Sequence, residues 1–274
     1  MSGSAVLRAA TVVVLALLAG CRGAEQSPSL PRAWSEPVTG MELVLLDAGS
    51  FAMGTPAGEV GREAGEVLHR VELGRPFYMG RFEVTQAQWQ AVMGSNPSRF
   101  ADCGGDCPVE TVSYLDVERF LERLEALGGH RLRLPTEAEW EYACRAGTST
   151  AFAFGETLST VQANFDDSVP EPGAAAGEPL GATMPAGSFA PNRWGLHDLH
   201  GNVWEWTADD HCPYPGDARG PLARCASGRK VIRGGSWHYG ADSARCGLRY
   251  THAPTDEGPS LGFRLARDAS EACR

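Results

Sequence analysis

Lysine is almost absent. Of the 24 basic side chains in 274 residues, all but Lys230 are arginines, scattered along a chain whose formal net charge is −10. No basic stripe exists to neutralise a phosphate backbone, so nucleic acid is not an expected partner. The apolar run from Ala9 to Ala19 falls short of the ~20 residues that span a bilayer as a helix, which excludes a membrane-crossing segment there. No repeat of fixed period shows. No HExxH pattern and no two-histidine-plus-carboxylate spacing announces a transition-metal site, although His197 and His200 stand three apart and could be combined with His211 or His238.

The chain that remains is 43% apolar and 21% charged, enough to bury one core of roughly 230 residues. Arg8 before the short apolar run makes the N-terminus an export signal in pattern. The run ends Leu18-Ala19-Gly20-Cys21, which resembles a bacterial lipobox; the alternative is an ordinary cleaved signal with an incidental cysteine. The expected organisation is a lipoprotein signal over 1–20, lipidation at Cys21, a Ser/Pro/Ala-rich tether over 21–37, a domain over 38–268 and a tail over 269–274. That places the protein in the bacterial cell envelope, lipid-anchored in the periplasm or on the outer membrane.

An exported chain can keep disulfides. Beyond Cys21 there are seven cysteines, and setting aside Cys273 near the C-terminus leaves six, which allow 15 connectivities. One assignment joins Cys103 to Cys107 across CGGDC, Cys212 to Cys225 around a Pro/Gly loop, and Cys144 to Cys246. Cys103 and Cys107 could instead form half of a zinc site, but no second close pair accompanies them.

Short strands, a few helices and much Gly/Pro-punctuated loop give an α+β profile. Strands are expected over Met41–Leu46, Phe51–Gly54, His69–Leu73, Phe77–Val84, Val231–Gly235 and Leu261–Ala266. Three helix starts are marked by Thr85 with Gln88, Ser113 with Asp116, and Thr136 with Glu139, each offering a side-chain acceptor to the first orphan amides. In the second helix Val117, Phe120, Leu121, Leu124 and Leu127 share a face, opposite Glu118, Arg119, Glu122 and Arg123. Residues 151–192 have no period and many breakers, so something, such as an ion, is expected to pin them.

Five motifs occur in order: FYMGRFEVTQAQW (Phe77–Trp89), RLPTEAEWEYACRAG (Arg133–Gly147), GLHDLHGNVWEW (Gly195–Trp206), RGGSW (Arg233–Trp237) and LGFR (Leu261–Arg264). Together they resemble the formylglycine-generating enzyme, or sulfatase-modifying factor, family across roughly residues 40 to 268. The resemblance implies a single α+β domain with the formylglycine-generating-enzyme fold, related to the C-type-lectin-like fold, irregular and commonly stabilised by calcium. It also implies the family's reaction: with copper(I) and dioxygen, oxidation of a cysteine in a Cys-x-Pro-x-Arg segment to formylglycine.

Most motif residues also have plain structural readings. Trp89, Trp140, Trp204 and Trp206 suit core anchors better than substrate platforms. Glu139 is explained as a capping residue, and Glu137 and Glu141 as helix surface or local ion pairs. Gly201, Gly234 and Gly235 suit tight backbone geometry. By position, the resemblance implies one calcium site from Asp198 with the carbonyls of Leu199, Gly201 and Val203. It implies a second from Asn164, the Phe165 carbonyl, Glu178 and the Leu180 carbonyl, the last two resting on a variable loop. Hard cations take such oxygens, although an Asx-type turn without an ion has the same signature.

The resemblance fails at one place. Active members carry two cysteines five positions apart after the glycine pair, because soft copper(I) is held by two thiolates. Here that window, Trp237 to Arg245, reads WHYGADSAR. Tyr239 stands where the first thiol would be, and the shorter loop has no clear counterpart for the second. Cys246, before Gly247-Leu248-Arg249, resembles a family disulfide position. Copper is therefore not expected. The leading expectation is a non-catalytic module that binds an extracytoplasmic peptide, protein or glycan in a groove formed by Trp237, His238, Tyr239 and Arg249. The alternatives are an oxidase acting on a protein cysteine through a rearranged site, and a structural envelope component.

Overall fold

The computed structural model describes residues 30–128, 130–168, 179–214 and 227–269. Within them three helices and ten short strands form three small sheets joined by long irregular connections. Among the described residues no helix is long and apolar enough to cross a membrane.

The first sheet has the order β1-β2-β5-β10, all antiparallel: β1 (Ala33–Ser35), β2 (Glu42–Leu46), β5 (Phe77–Gly80) and β10 (Ala266–Asp268). β1 corrects the expected tether over 21–37. Trp34 lies against the Arg267 guanidinium at 4.3 Å, and buried Glu36 accepts the amides of Val38 and Thr39, so the folded domain already includes these residues. At the other end Ala269 is buried in the core, so the domain also outruns residue 268. β3 (Gly49–Met53) and β4 (His69–Leu73) form a separate two-stranded sheet. The third sheet runs β8-β7-β6-β9, from β6 (Trp204–Asp210), β7 (Lys230–Arg233), β8 (Tyr250–His252) and β9 (Leu261–Gly262), with β6 and β9 parallel. The single strand expected over Leu261–Ala266 is thus two, β9 and β10, in different sheets. The strand expected over Phe77–Val84 stops at Gly80, because the chain turns there to bring Val84 and Thr85 into a helix start.

Local sequence accounts for the helices. Thr85 and Gln88 form a complete capping box at α1 (Gln86–Met93), and Thr136 and Glu139 form another at α3 (Glu137–Arg145). At α2 (Tyr114–Gly128) the Ser113 hydroxyl accepts the Asp116 amide while the Asp116 carboxylate accepts the Ser113 amide. Val117, Phe120 and Leu124 of α2 are buried against the main core and Leu121 packs on its margin. Leu127 does not join them; it is 58% exposed in the last turn.

The main core lies between the first sheet, α1, α2 and the third sheet, where Trp89 stacks on Phe120 at 5.1 Å and Phe263 meets both rings edge-on. Trp140, Trp204 and Trp206 are buried as well, with the indole N–H of Trp140 donating to Glu205 and that of Trp206 to the Val112 carbonyl. These rings are anchors, and each of the two N–H groups finds the acceptor that burial demands.

Candidate functional site

α3 is a helix whose charged residues face inward. Glu137 and Glu141, read from the sequence as helix surface or local pairs, are both fully buried. Glu141 accepts the Gly54 amide (2.8 Å) and the Arg145 guanidinium (2.9 Å), and also pairs with Arg233. Glu137 accepts two hydrogen bonds from Arg249, at 2.8 and 2.7 Å, and one from the Tyr214 hydroxyl. Arg249 therefore does not line a groove. Its guanidinium also donates to the Cys212 carbonyl and stacks on Tyr214 at 3.9 Å, and the residue is 5% exposed. Partners 92 to 112 residues away are invisible to a local reading of the helix.

The other three groove candidates reach the surface. Trp237 is half-buried, its indole N–H donating to the Pro259 carbonyl, while His238 and Tyr239 are exposed. Trp237 meets Phe100 edge-on at 5.2 Å and His238 at 5.0 Å. Tyr239 stands on Trp204, and Trp204 in turn contacts Tyr250, which is 51% exposed on β8. Tyr250 escaped the sequence reading because β8 has only three residues; its alternating aromatics, Tyr250 and His252, were the available signal.

Among the described residues every cysteine is disulfide-bonded. Cys103 is joined to Cys107 and Cys144 to Cys246. Cys212 is bonded too; its expected partner Cys225 lies outside the described residues, as do Cys21 and Cys273. His200 lies 3.9 Å from the Cys144 sulfur and, with Cys246, completes a buried metal-like grouping. Both sulfurs are engaged with each other. Both ring nitrogens are engaged as well, with Nδ1 on the Ala244 carbonyl and Nε2 accepting the Ala153 amide. Burial lowers the His200 pKa to about 4, so the ring is neutral at pH 7. His197 points elsewhere, to the Phe189 carbonyl and the Phe82 ring, and no histidine triad forms.

A buried acidic and amide cluster surrounds the calcium-type residues. Asp198 has a left-handed backbone (φ 56°) and accepts the Gly187 amide at 2.6 Å. Burial raises its pKa, and burial together with the charges of Asp198 and Glu205 raises that of Glu83 well above the ordinary carboxylate range. Arg264 is paired with Glu205. Asn202, also left-handed, ties the cluster together by donating to Glu83 at 2.8 Å and accepting from Asn164 at 3.1 Å. Gly201 is required here, since a Cβ would come within 2.1 Å of the Asn164 carbonyl oxygen. The Leu199 and Val203 side chains are buried beside it. Asn164 donates to the Ala182 carbonyl, but its Oδ1 is buried without a hydrogen-bond partner. Neighbouring Phe165 is buried, Leu180 is 53% exposed, and Glu178 lies outside the described residues. The orphaned amide oxygen of Asn164 is the kind of donor a hard cation takes. Glu83, Asn202 and Glu205 were not singled out from the sequence, although the last two sit inside GNVWEW.

Residues 30–269 match the family described as the sulfatase-modifying factor enzyme 1-like domain. The chain is 27% identical to the formylglycine-generating enzyme of Bos taurus over 90% of this chain and 79% of that protein. It is 35% identical to the inactive C-alpha-formylglycine-generating enzyme 2 of Mus musculus over 50% of this chain, and that match spans only 43% of the mouse protein. Thus the chain covers less than half the length of several curated relatives. Among solved structures, PvdO from Pseudomonas aeruginosa superposes with a TM-score of 0.72 at 32% identity, covering 88% of this chain and 100% of that one. A family match over residues 30–269 and a superposition over 88% of the chain carry one conclusion: the chain belongs to the sulfatase-modifying factor enzyme family, the formylglycine-generating-enzyme family of α+β domains.

Proposed function

We propose that this protein is a lipid-anchored, non-catalytic binding module of the bacterial cell envelope, with a peptide, protein or glycan ligand seated on Trp237, His238 and Tyr239. One observation carries the reading: the window Trp237 to Arg245 has no cysteine, and every described cysteine is already in a disulfide. Copper(I) chemistry on a protein thiol needs soft sulfur ligands that can exchange with the substrate. The mouse relative named as inactive supports the same separation of fold from reaction. Calcium belongs to this reading as a structural ion. Asp198 with the carbonyls of Leu199, Gly201 and Val203 would hold one such ion, and Asn164 with the Phe165 carbonyl, Glu178 and the Leu180 carbonyl a second.

The experiment is a side-by-side assay of the full chain. It is incubated with copper(I), dioxygen, reductant and a Cys-x-Pro-x-Arg peptide, and then titrated with that peptide and with envelope glycans, without copper. No formylglycine by mass spectrometry, together with saturable binding that Trp237→Ala abolishes, is the expected result. Formylglycine formation would overturn it in favour of the oxidase that the cattle relative's name describes. Absence of both turnover and binding would leave a structural envelope component.

A further inference from the structure

Two disulfides have both of their cysteines described, and their settings are opposite. Cys144 and Cys246 are fully buried and join positions 102 residues apart. Cys103 and Cys107 are four residues apart in a surface turn. Cys107 is only 1% exposed, but Cys103 is half-buried, and Asp102, Gly104, Gly105 and Asp106 around it are exposed. A thiolate opens a disulfide by attacking a sulfur that it can reach, so access separates the two bonds. The cost of opening separates them too. By loop-closure entropy the four-residue link constrains the unfolded chain roughly a hundredfold less than the 102-residue link, so the fold can lose the short one and stay folded.

Backbone bonds hold the turn independently of its sulfurs. The Gln86 amide donates to the Cys107 carbonyl at 2.8 Å, the Ala87 amide to the Gly105 carbonyl at 2.9 Å, and the Cys107 amide to the Gly104 carbonyl at 3.1 Å. Thiols released here stay within reach of each other. The turn also grips a second segment. Cys103 Sγ lies 3.3 Å from the Thr183 carbonyl oxygen, and the Ala186 amide donates to the Asp106 carbonyl at 2.9 Å. From there residues 182–187 reach the buried acidic and amide cluster. The Ala182 carbonyl accepts from Asn164, the Met184 amide donates to Asn202, and the Gly187 amide donates to Asp198. The disulfide turn is thus one clamp on a segment whose other clamps are Asn164, Asn202 and Asp198.

We propose that Cys103–Cys107 is a thiol–disulfide exchange site whose substrate is a dithiol, and that its opening loosens residues 182–187. One thiolate of the donor attacks Cys103 Sγ, the sulfur–sulfur bond breaks, and the Cys107 thiolate leaves and takes up a proton. The donor's second thiolate then displaces the Cys103 thiolate, which is protonated in turn, and the donor departs as its own disulfide. Two electrons pass from donor to protein, and an oxidised donor reverses the step. The inference goes beyond the binding-module reading and does not depend on it.

The test uses the native full chain without denaturant. It is incubated with dithiothreitol, quenched at intervals with N-ethylmaleimide and read cysteine by cysteine by mass spectrometry. Cys103 and Cys107 are expected to be labelled at least about tenfold faster than Cys144 and Cys246, with the tryptophan emission of the folded chain retained. Hydrogen exchange at the Met184, Ala186 and Gly187 amides is expected to accelerate at least about threefold in the reduced chain and to return after oxidised dithiothreitol is added. Cys103→Ser combined with Cys107→Ser should show the same faster exchange without reductant. Opening of Cys144–Cys246 at an equal or greater rate, or opening of Cys103–Cys107 only after denaturation, overturns the exchange site. Unchanged exchange at 184–187 in the reduced wild-type chain overturns the loosening, and that measurement decides even if the double variant does not fold.

Discussion

The surroundings of α3 and the aromatic line of Tyr239, Trp204 and Tyr250 on the third sheet treat side chains in opposite ways. Around α3 two carboxylates are dry and gripped by arginine: Glu141 by Arg145 and Arg233, Glu137 by Arg249. A similar clasp fixes the connection between β3 and β4, where Arg245 holds Glu59, Glu66 and the Gly61 carbonyl. Along the surface, tyrosines stand half in water with rings for neighbours. The difference teaches where the fold can change. A half-made buried pair leaves an uncompensated charge, so the charged region is all-or-none, while the surface line can vary without unfolding the protein.

The largest expected break of that contrast comes from the covalent tie inside the charged region. Cys144 and Cys246 are 102 residues apart, so replacing both with serine is expected to cost about 4–5 kcal/mol, read from urea midpoints. Arg233→Ala takes away one of the two arginines that pair with buried Glu141 and should cost roughly 3 kcal/mol; a loss below about 1 kcal/mol would mean that water reaches the site. Next in size is the cation. If calcium fills the Asp198 site and the Asn164 site, chelation should remove up to about 3 kcal/mol per site at saturating ion and lower Tm by several degrees, with recovery on calcium addition. An unmoved Tm would remove calcium.

A smaller effect separates the Arg245 clasp from ordinary surface pairs. Burial alone would raise the Glu66 pKa, but the hydrogen bonds and charge of Arg245 hold it below the usual value of 4.5. A depressed carboxylate stabilises the fold fully at neutral pH and loses that contribution as the pH falls below this range. Wild type should therefore lose its advantage over Glu66→Gln on acidification, with denaturation midpoints converging below about pH 4. Smallest of all, Tyr239→Ala should change stability by less than about 0.5 kcal/mol. A larger drop would show the aromatic line to be part of the core after all.

Much of the fold was legible because its signals are local. Caps at Thr85, Ser113 and Thr136 mark helix starts within four residues, and the alternation of Leu43 and Leu45 marks β2. What escaped depends on distance along the chain. Glu137 and Glu141 look like surface residues until Arg233 and Arg249 arrive from the far side of the sequence. β1 hides inside a Ser/Pro-rich stretch and becomes a strand only by pairing with β2. The site divides in the same way. Trp237, His238 and Tyr239 were readable from one contiguous segment, whereas Tyr250 and the orphaned oxygen of Asn164 emerge only from packing.

The scarcity of lysine takes on a practical meaning once Lys230 is placed. It is the sole side-chain amine, it pairs in register with His252, and its ammonium sits 4.4 Å over the Tyr114 ring and 2.9 Å from Asp210. Burial alone would depress its pKa, but the Asp210 hydrogen bond keeps it above the ordinary value, so acylation needs alkaline buffer. A dye attached there would sit at one end of the aromatic line without an engineered cysteine to disturb the disulfides. The protein thus carries its own labelling handle for watching a ligand arrive.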